Sequence, residues 1–206
     1  MKDLLLHICC GPCAIHPVNV LRERSIEFTG LFFNPNIHPF LEFERRVEAL
    51  EEISQAMEFP VIHHPMGYGL ISWLNVVWSR HPERPDRCRA CYAMRLEETA
   101  NLAKNMGFKR FSTTLLYSIY QDHQAIKNFG LDLQTRMDIE FLYMDFRSGW
   151  KEGKKKARQI GIYIQPYCGC IMSEAERYDK RIKRLKDRFE AGQAFSLSTK
   201  SGGVAE

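Results

Sequence analysis

The chain has 206 residues, of which 45% are hydrophobic and 12% aromatic, and a formal net charge of +4. That length holds one well-buried α/β core and crowds out a second full domain. No apolar run approaches the roughly 20 residues that span a bilayer, and "MKDLLLHICCGPC" lacks the small-residue cleavage site of a signal peptide. A cytoplasmic, reducing location is expected, with no membrane partner and no structural disulfides.

In chain order, strands are predicted over 3–8, 28–34, 59–64, 109–116 and 140–146. Helices are predicted near 15–25, 41–57, 69–80, 89–106, 120–129 and 150–160, with a further one near 172–191. The crossovers are long enough for parallel pairing, so the alternation reads as an α/β fold with a parallel sheet and helices on both faces. A single Rossmann-like domain is expected over 1–192, carrying a basic helical segment at about 150–190, with a flexible tail over 193–206. Such sheets bind ligands beyond the carboxyl ends of their strands. The distinctive motifs follow those ends: "CCGPC", "NPNIHP", "HHPMGYG", "YSIYQDH" and "RSGW".

The positive charge is uneven. Residues 1–150 carry 16 Lys/Arg against 18 Asp/Glu, whereas residues 151–190 carry 12 against 6. That suggests a polyanion partner for the carboxyl-terminal segment, and a solvated helix face is the plain alternative. In "KEGKKKAR", Lys154, Lys155, Lys156 and Arg158 are candidates to grip RNA phosphates, as is "KRIKRLKDR" further on. Trp150, Tyr163 and Tyr167 lie near enough in sequence to stack on bases.

All seven cysteines fall in three clusters: Cys9, Cys10 and Cys13; Cys88 and Cys91; Cys168 and Cys170. An odd count in a reducing compartment does not suit a disulfide framework, and packing explains single cysteines better than clusters. Thiolates without competing carboxylate motifs select zinc or iron–sulfur clusters. Four ligands would close one site, and the surplus points to two centres. Adjacent cysteines tend to point apart, which suggests Cys10, Cys13, Cys88 and Cys91 on a cluster and Cys9, Cys168 and Cys170 on a neighbouring metal. Two other readings stay open: a thiol–disulfide oxidoreductase using "CGPC", and a zinc-stabilised nucleic-acid-binding module.

Taken together, "LLLHICCGPC", "FFNPNIHP", "CRACYAMRL", "FSTTLLYSIYQ" and "YCGC" resemble the cobalamin-independent epoxyqueuosine reductases, the QueH family, from about residue 4 to 176. The resemblance implies a fold related to the PP-loop and nucleotide α-hydrolase group. It also implies an oxidoreductase that reduces epoxyqueuosine to queuosine at the wobble position of tRNA, without cobalamin. A 4Fe-4S cluster and a second cysteine-bound metal, expected to be iron, would serve it, with an external electron donor. Where nucleotide-using relatives carry a phosphate loop, this chain has "CCGPC", so no ATP binding is expected. Candidate proton donors at strand ends are Tyr117, Tyr120, Asp122, His38 and His64. Asn34 and Asn36 are candidate contacts to the diol, Gln121 is a candidate substrate contact, and Glu42 with Arg45 or Arg46 reads as helix-face pairing.

Overall fold

Leu4, Leu5 and Leu6 have no exposed surface, because their strand, β1 (Lys2–His7), is paired on both edges and covered on both faces. An unbroken apolar run is what a central parallel strand requires. The structure, a computed structural model, describes residues 2–78 and 83–190. The other strands are β2 (Phe28–Phe32), β3 (Val61–His63), β4 (Phe108–Thr113) and β5 (Glu140–Phe141). All pairings are parallel, in the order β3-β2-β1-β4-β5, with Leu5 opposite Thr29 on one side and Phe111 on the other.

The helices are α1 (Gly11–Glu23), α2 (Phe40–Ala56), α3 (Leu70–Val77), α4 (Asp86–Asn105), α5 (His123–Met137), α6 (Trp150–Ile160) and α7 (Ile171–Glu190). Right-handed crossovers place α1 and α2 on one face and α4 and α5 on the other. The packing agrees: α1 contacts α2 and α6, while α4 contacts α3 and α5. No helix among the described residues is long and apolar enough to cross a membrane.

Every predicted strand and helix is present, and the differences lie at the ends. The first helix begins at Gly11 rather than 15, with Pro12 in its first turn, where its missing N–H costs nothing. Gly11 is needed there, since a Cβ would fall on the Ala49 carbonyl of α2. The helix predicted over 120–129 starts at His123 and continues to Met137, because Gly130 sits against the Phe141 ring inside the helix. The last strand is shorter than 140–146, for only Arg110 and Phe111 of β4 pair with it. The predicted tail over 193–206 lies outside the described residues, as does the end of the third predicted helix.

The strand order reverses between β1 and β4. The crevice at their carboxyl ends is where a doubly wound sheet places its ligand.

Candidate metal centre and substrate cavity

Only residues 8–10 separate β1 from α1. Cys10 precedes the helix in extended conformation, at φ −174° and ψ 163°, and Cys13 lies in the first turn. The sulfurs of Cys9, Cys10 and Cys13 lie within 4.8 Å of one another, with Cys9 Sγ 3.8 Å from Cys10 Sγ. Sequence adjacency suggested divergent thiols, but the strand-to-helix turn brings both to the same side.

Thr114 opens a single 3-10 turn, Thr114–Tyr117, after β4. Its Oγ1 accepts from the Cys9 N–H at 3.1 Å and donates to Cys9 Sγ at 3.5 Å. From the opposite side, Gln165 Nε2 donates to Cys10 Sγ at 2.9 Å and reaches Cys13 Sγ at 3.7 Å. Hydrogen bonds from Cys10 and Cys13 hold the Cys9 thiol well below its ordinary pKa. Bonds within the trio push Cys13 up, and burial pushes Cys10 up.

The remaining four thiols form a second group. Cys88 and Cys91 stand at the start of α4, and their spacing puts both on one helix face. Cys168 and Cys170 lie just before α7, and Cys170 packs with Cys91, Trp73 and Val77. Burial raises Cys88 and takes Cys91 up to about 12, and charge on Cys168 and Cys170 raises both further. Of the four thiols that spacing suggested for one cluster, Cys10 and Cys13 lie in the tight trio with Cys9, while Cys91 packs with Cys170.

Loop 167–170 is fastened by residues far away in sequence. Arg46 donates from Nη1 to the Cys168 carbonyl at 2.9 Å and from Nη2 to the Tyr167 carbonyl at 3.0 Å. Its Nε donates to Glu42 Oε1 at 2.8 Å, and Tyr163 donates to the other Glu42 oxygen. The helix-face pairing expected of Glu42 is present with Arg46, and because both are buried the pair is an internal clamp. Gly169 sits at φ +136°, a conformation that favours glycine, and its carbonyl accepts from the His38 N–H at 2.8 Å.

Arg95 stands between the two thiol groups. Its Nη2 donates to Asn34 Oδ1 at 2.6 Å and its Nε to His7 Nε2 at 3.3 Å. Burial takes His7 down to about 3, so its ring is neutral. His7 Nδ1 lies 2.8 Å from Thr113 Oγ1, and Nε2 also lies 3.2 Å from the Phe33 carbonyl. The Arg95 charge lowers Cys9 and Cys91 alike.

A cavity of about 580 Å³ opens over both groups, with Cys9, Cys13 and Cys168 in its lining. Among the described residues, five cations line it: Arg46, Arg84, Arg95, Lys154 and Arg177. The one carboxylate among its described lining residues, Glu176, is paired with Arg84 at 3.1 Å and with Arg87.

Other candidates from the sequence divide between cavity and scaffold. Tyr117 and Gln121 line the cavity; Tyr117 keeps its proton because burial raises it, and Gln121 Nε2 lies 3.6 Å from Cys168 Sγ. His38 and Asp122 do not line it. The His38 ring packs on Trp73 with centroids 4.9 Å apart, and its Nε2 lies 2.9 Å from the Pro35 carbonyl. Asp122 caps α5 by accepting from the Ala125 N–H at 3.0 Å, which is ordinary helix-start chemistry. Asn34 positions Arg95, and Asn36 is buried beside Gly169. His64 pairs with Glu98 at 2.9 Å, away from the cavity lining. Of the lysine run only Lys154 lines the cavity, while Lys155, Lys156 and Arg158 face outward on α6. Arg46, Arg84, Arg95 and Gln165 are missed by motif reading, since each acts across a long stretch of sequence, and Arg177 is a further cation of the lining that it missed.

The family profile described as "Epoxyqueuosine reductase QueH" matches residues 4–176. Relatives from several organisms carry that same name. The protein of Dehalococcoides mccartyi is 34% identical over 86% of this chain and 95% of its own length. The protein of Thermotoga maritima is 33% identical over 91% and 98%, and that of Haemophilus influenzae 32% over 94% and 80%. Among solved structures, a predicted subunit of tRNA methyltransferase from Methanocaldococcus jannaschii aligns with a TM-score of 0.48 at 13% identity, over 77% of this chain and 75% of that one. With its sheet, its clustered thiols and a family match spanning most of its length, this chain belongs to the epoxyqueuosine reductase QueH family.

Proposed function

We propose that the chain reduces epoxyqueuosine at the wobble position of tRNA to queuosine, using a 4Fe-4S cluster beside a second, single metal ion. The observation that carries this is two adjacent thiol groups opening into one cation-lined cavity, in a member of this family.

The donor chemistry fits both groups. Ligands of one tetrahedral ion at about 2.3 Å stand roughly 3.8 Å apart, and the Cys9–Cys10 separation is 3.8 Å. The thiolates of a four-iron cube bind different irons and stand further apart. Among the described residues Cys9, Cys10 and Cys13 form the tight group. We therefore assign these three to the single ion, expected to be iron, and Cys88, Cys91, Cys168 and Cys170 to the cluster. Buried Arg46 and Arg95 offset the negative charge that bound thiolates would bring.

Removing the epoxide oxygen breaks two C–O bonds, forms one C=C bond and releases water. The balance takes two electrons from an external donor and two protons. When bound, the metal groups would pass on those electrons and supply Lewis acidity. The chain's own residues bind, orient and protonate. Tyr117 holds its proton on the cavity wall, its hydroxyl donating to the Trp150 carbonyl at 3.2 Å, and is the proposed proton donor. Gln121 is fixed by the Tyr92 hydroxyl at 2.6 Å and presents its amide N–H beside Cys168. The cavity cations and the outward lysines of α6 favour a polyanion over a free nucleoside.

The test is anaerobic turnover of tRNA carrying epoxyqueuosine, read by nucleoside mass spectrometry. Loss of one oxygen from the modified nucleoside, by protein containing iron and acid-labile sulfide, is the expected result. Colourless zinc protein that binds RNA without turnover would overturn the proposal, as would metal-free protein cycling a Cys10–Cys13 disulfide.

A further inference from the structure

The mouth of the cavity carries an aromatic face that the thiol chemistry leaves unused. Tyr120 is 73% exposed, and its ring stands edge-on to Trp150 at 5.6 Å between centroids and 84° between planes. Trp150 is in turn packed on Tyr117 at 5.0 Å, so the exposed ring is tied to the cavity wall and is not a free surface side chain. Lys154 Nζ lies 4.7 Å from the Trp150 centroid and 5.8 Å from that of Tyr120. It has no carboxylate partner among the described residues. All three side chains line the cavity.

A fixed, exposed aromatic ring beside an ammonium with no carboxylate partner among the described residues is suited to a nucleotide: the ring stacks on the base and the cation meets the phosphate. A tyrosine kept for packing would be buried. The place of a proton donor is taken by Tyr117, which lies near enough to Cys9, Cys10 and Cys13 to feel their charge.

We propose that Tyr120, Trp150 and Lys154 form a subsite for an unpaired nucleotide flanking the modified one in the anticodon loop. The inference rests on tRNA being the substrate. The modified nucleotide must direct its ring substituent toward Cys9, Cys13 and Cys168, which leaves the face at the mouth for a neighbour.

The test is anisotropy binding of metal-loaded protein to anticodon stem-loop RNAs, one intact and one abasic at each position flanking the wobble nucleotide. Tyr120→Ala is expected to weaken binding of the intact RNA about 5- to 100-fold. On the RNA lacking the stacked base it should bind as the wild type does. Tyr120→Phe keeps the ring and should bind every RNA normally, while Lys154→Ala should lower the salt slope by about one. Wild-type binding of intact RNA together with an unaffected Tyr120→Ala would overturn the subsite alone. An equal loss on all RNAs, or a loss in Tyr120→Phe matching that in Tyr120→Ala, would also overturn it. Failure of the wild type to bind any stem-loop would overturn the tRNA reading beneath it.

Discussion

The two thiol-bearing segments of the site are held in different ways. The "CCGPC" turn is part of the scaffold: it joins the central strand β1 to α1, and Cys10 and Cys13 are buried in the main core. The "YCGC" loop joins α6 to α7 and is fastened to α2 and to loop 34–38 by side-chain and single backbone hydrogen bonds. One half of the site is therefore positioned by the fold itself, and the other by a buried Glu42–Arg46 clamp. A scaffold-held group keeps its geometry while the sheet is folded. A clamped group depends on a few bonds that one substitution can remove.

The largest expected effect comes from breaking the clamp. Arg46→Met leaves Glu42 buried without its cation and frees the Tyr167 and Cys168 carbonyls, at a cost of about 3–5 kcal/mol. Denaturant melts should show that loss, and alkylation of unfolding-resistant protein should show Cys168 and Cys170 exposed while Cys10 stays protected. Arg46→Lys keeps the charge without the fork that reaches two carbonyls, and should recover only part of the stability. If Cys168 remains protected in Arg46→Met, the loop is held by something other than the clamp.

Next comes a strain on the scaffold side. Gly11→Ala drives a methyl group into the Ala49 carbonyl and should cost about 1–3 kcal/mol. Both thiol groups should respond, since α1 carries Cys13 and contacts α2, which carries Arg46. Thiol reactivity altered at Cys10 and Cys13 alone would separate the two halves more sharply than the packing suggests.

The smallest effect separates cap from catalyst. Asp122→Ala removes the acceptor for the Ala125 N–H and should cost about 1 kcal/mol through the α5 start. Turnover per folded molecule should stay near wild type. A large fall in turnover with an unchanged melting curve would return Asp122 to the chemistry.

What was legible in the sequence follows the same contrast. The order of strands and helices shows in alternating runs such as "DLLLHI" and in crossover lengths, and the start of α4 places Cys88 and Cys91 on one face by spacing alone. The clustering of thiols at strand and helix ends is likewise a local pattern. Legibility failed where a side chain acts on a distant backbone. Glu42 and Arg46 have the spacing of a surface ion pair, and only the burial of α2 against loop 167–170 shows their work. Arg95 sits in an ordinary helical stretch and becomes notable when β1 supplies His7 and loop 34–38 supplies Asn34. His38 and Asp122 drew notice as ionisable residues at loop positions, yet His38 meets a ring and a carbonyl, and Asp122 meets a helix-end N–H and Arg89.

The division of the thiols into three and four is most directly tested by acid-labile sulfide analysis of anaerobically prepared Cys10→Ala and Cys13→Ala beside Cys88→Ala. Cys10→Ala and Cys13→Ala are expected to keep wild-type sulfide while losing iron equivalent to one site, and Cys88→Ala to lose its sulfide. Sulfide lost from Cys10→Ala or Cys13→Ala as fully as from Cys88→Ala would contradict the division and place those thiols on the cluster.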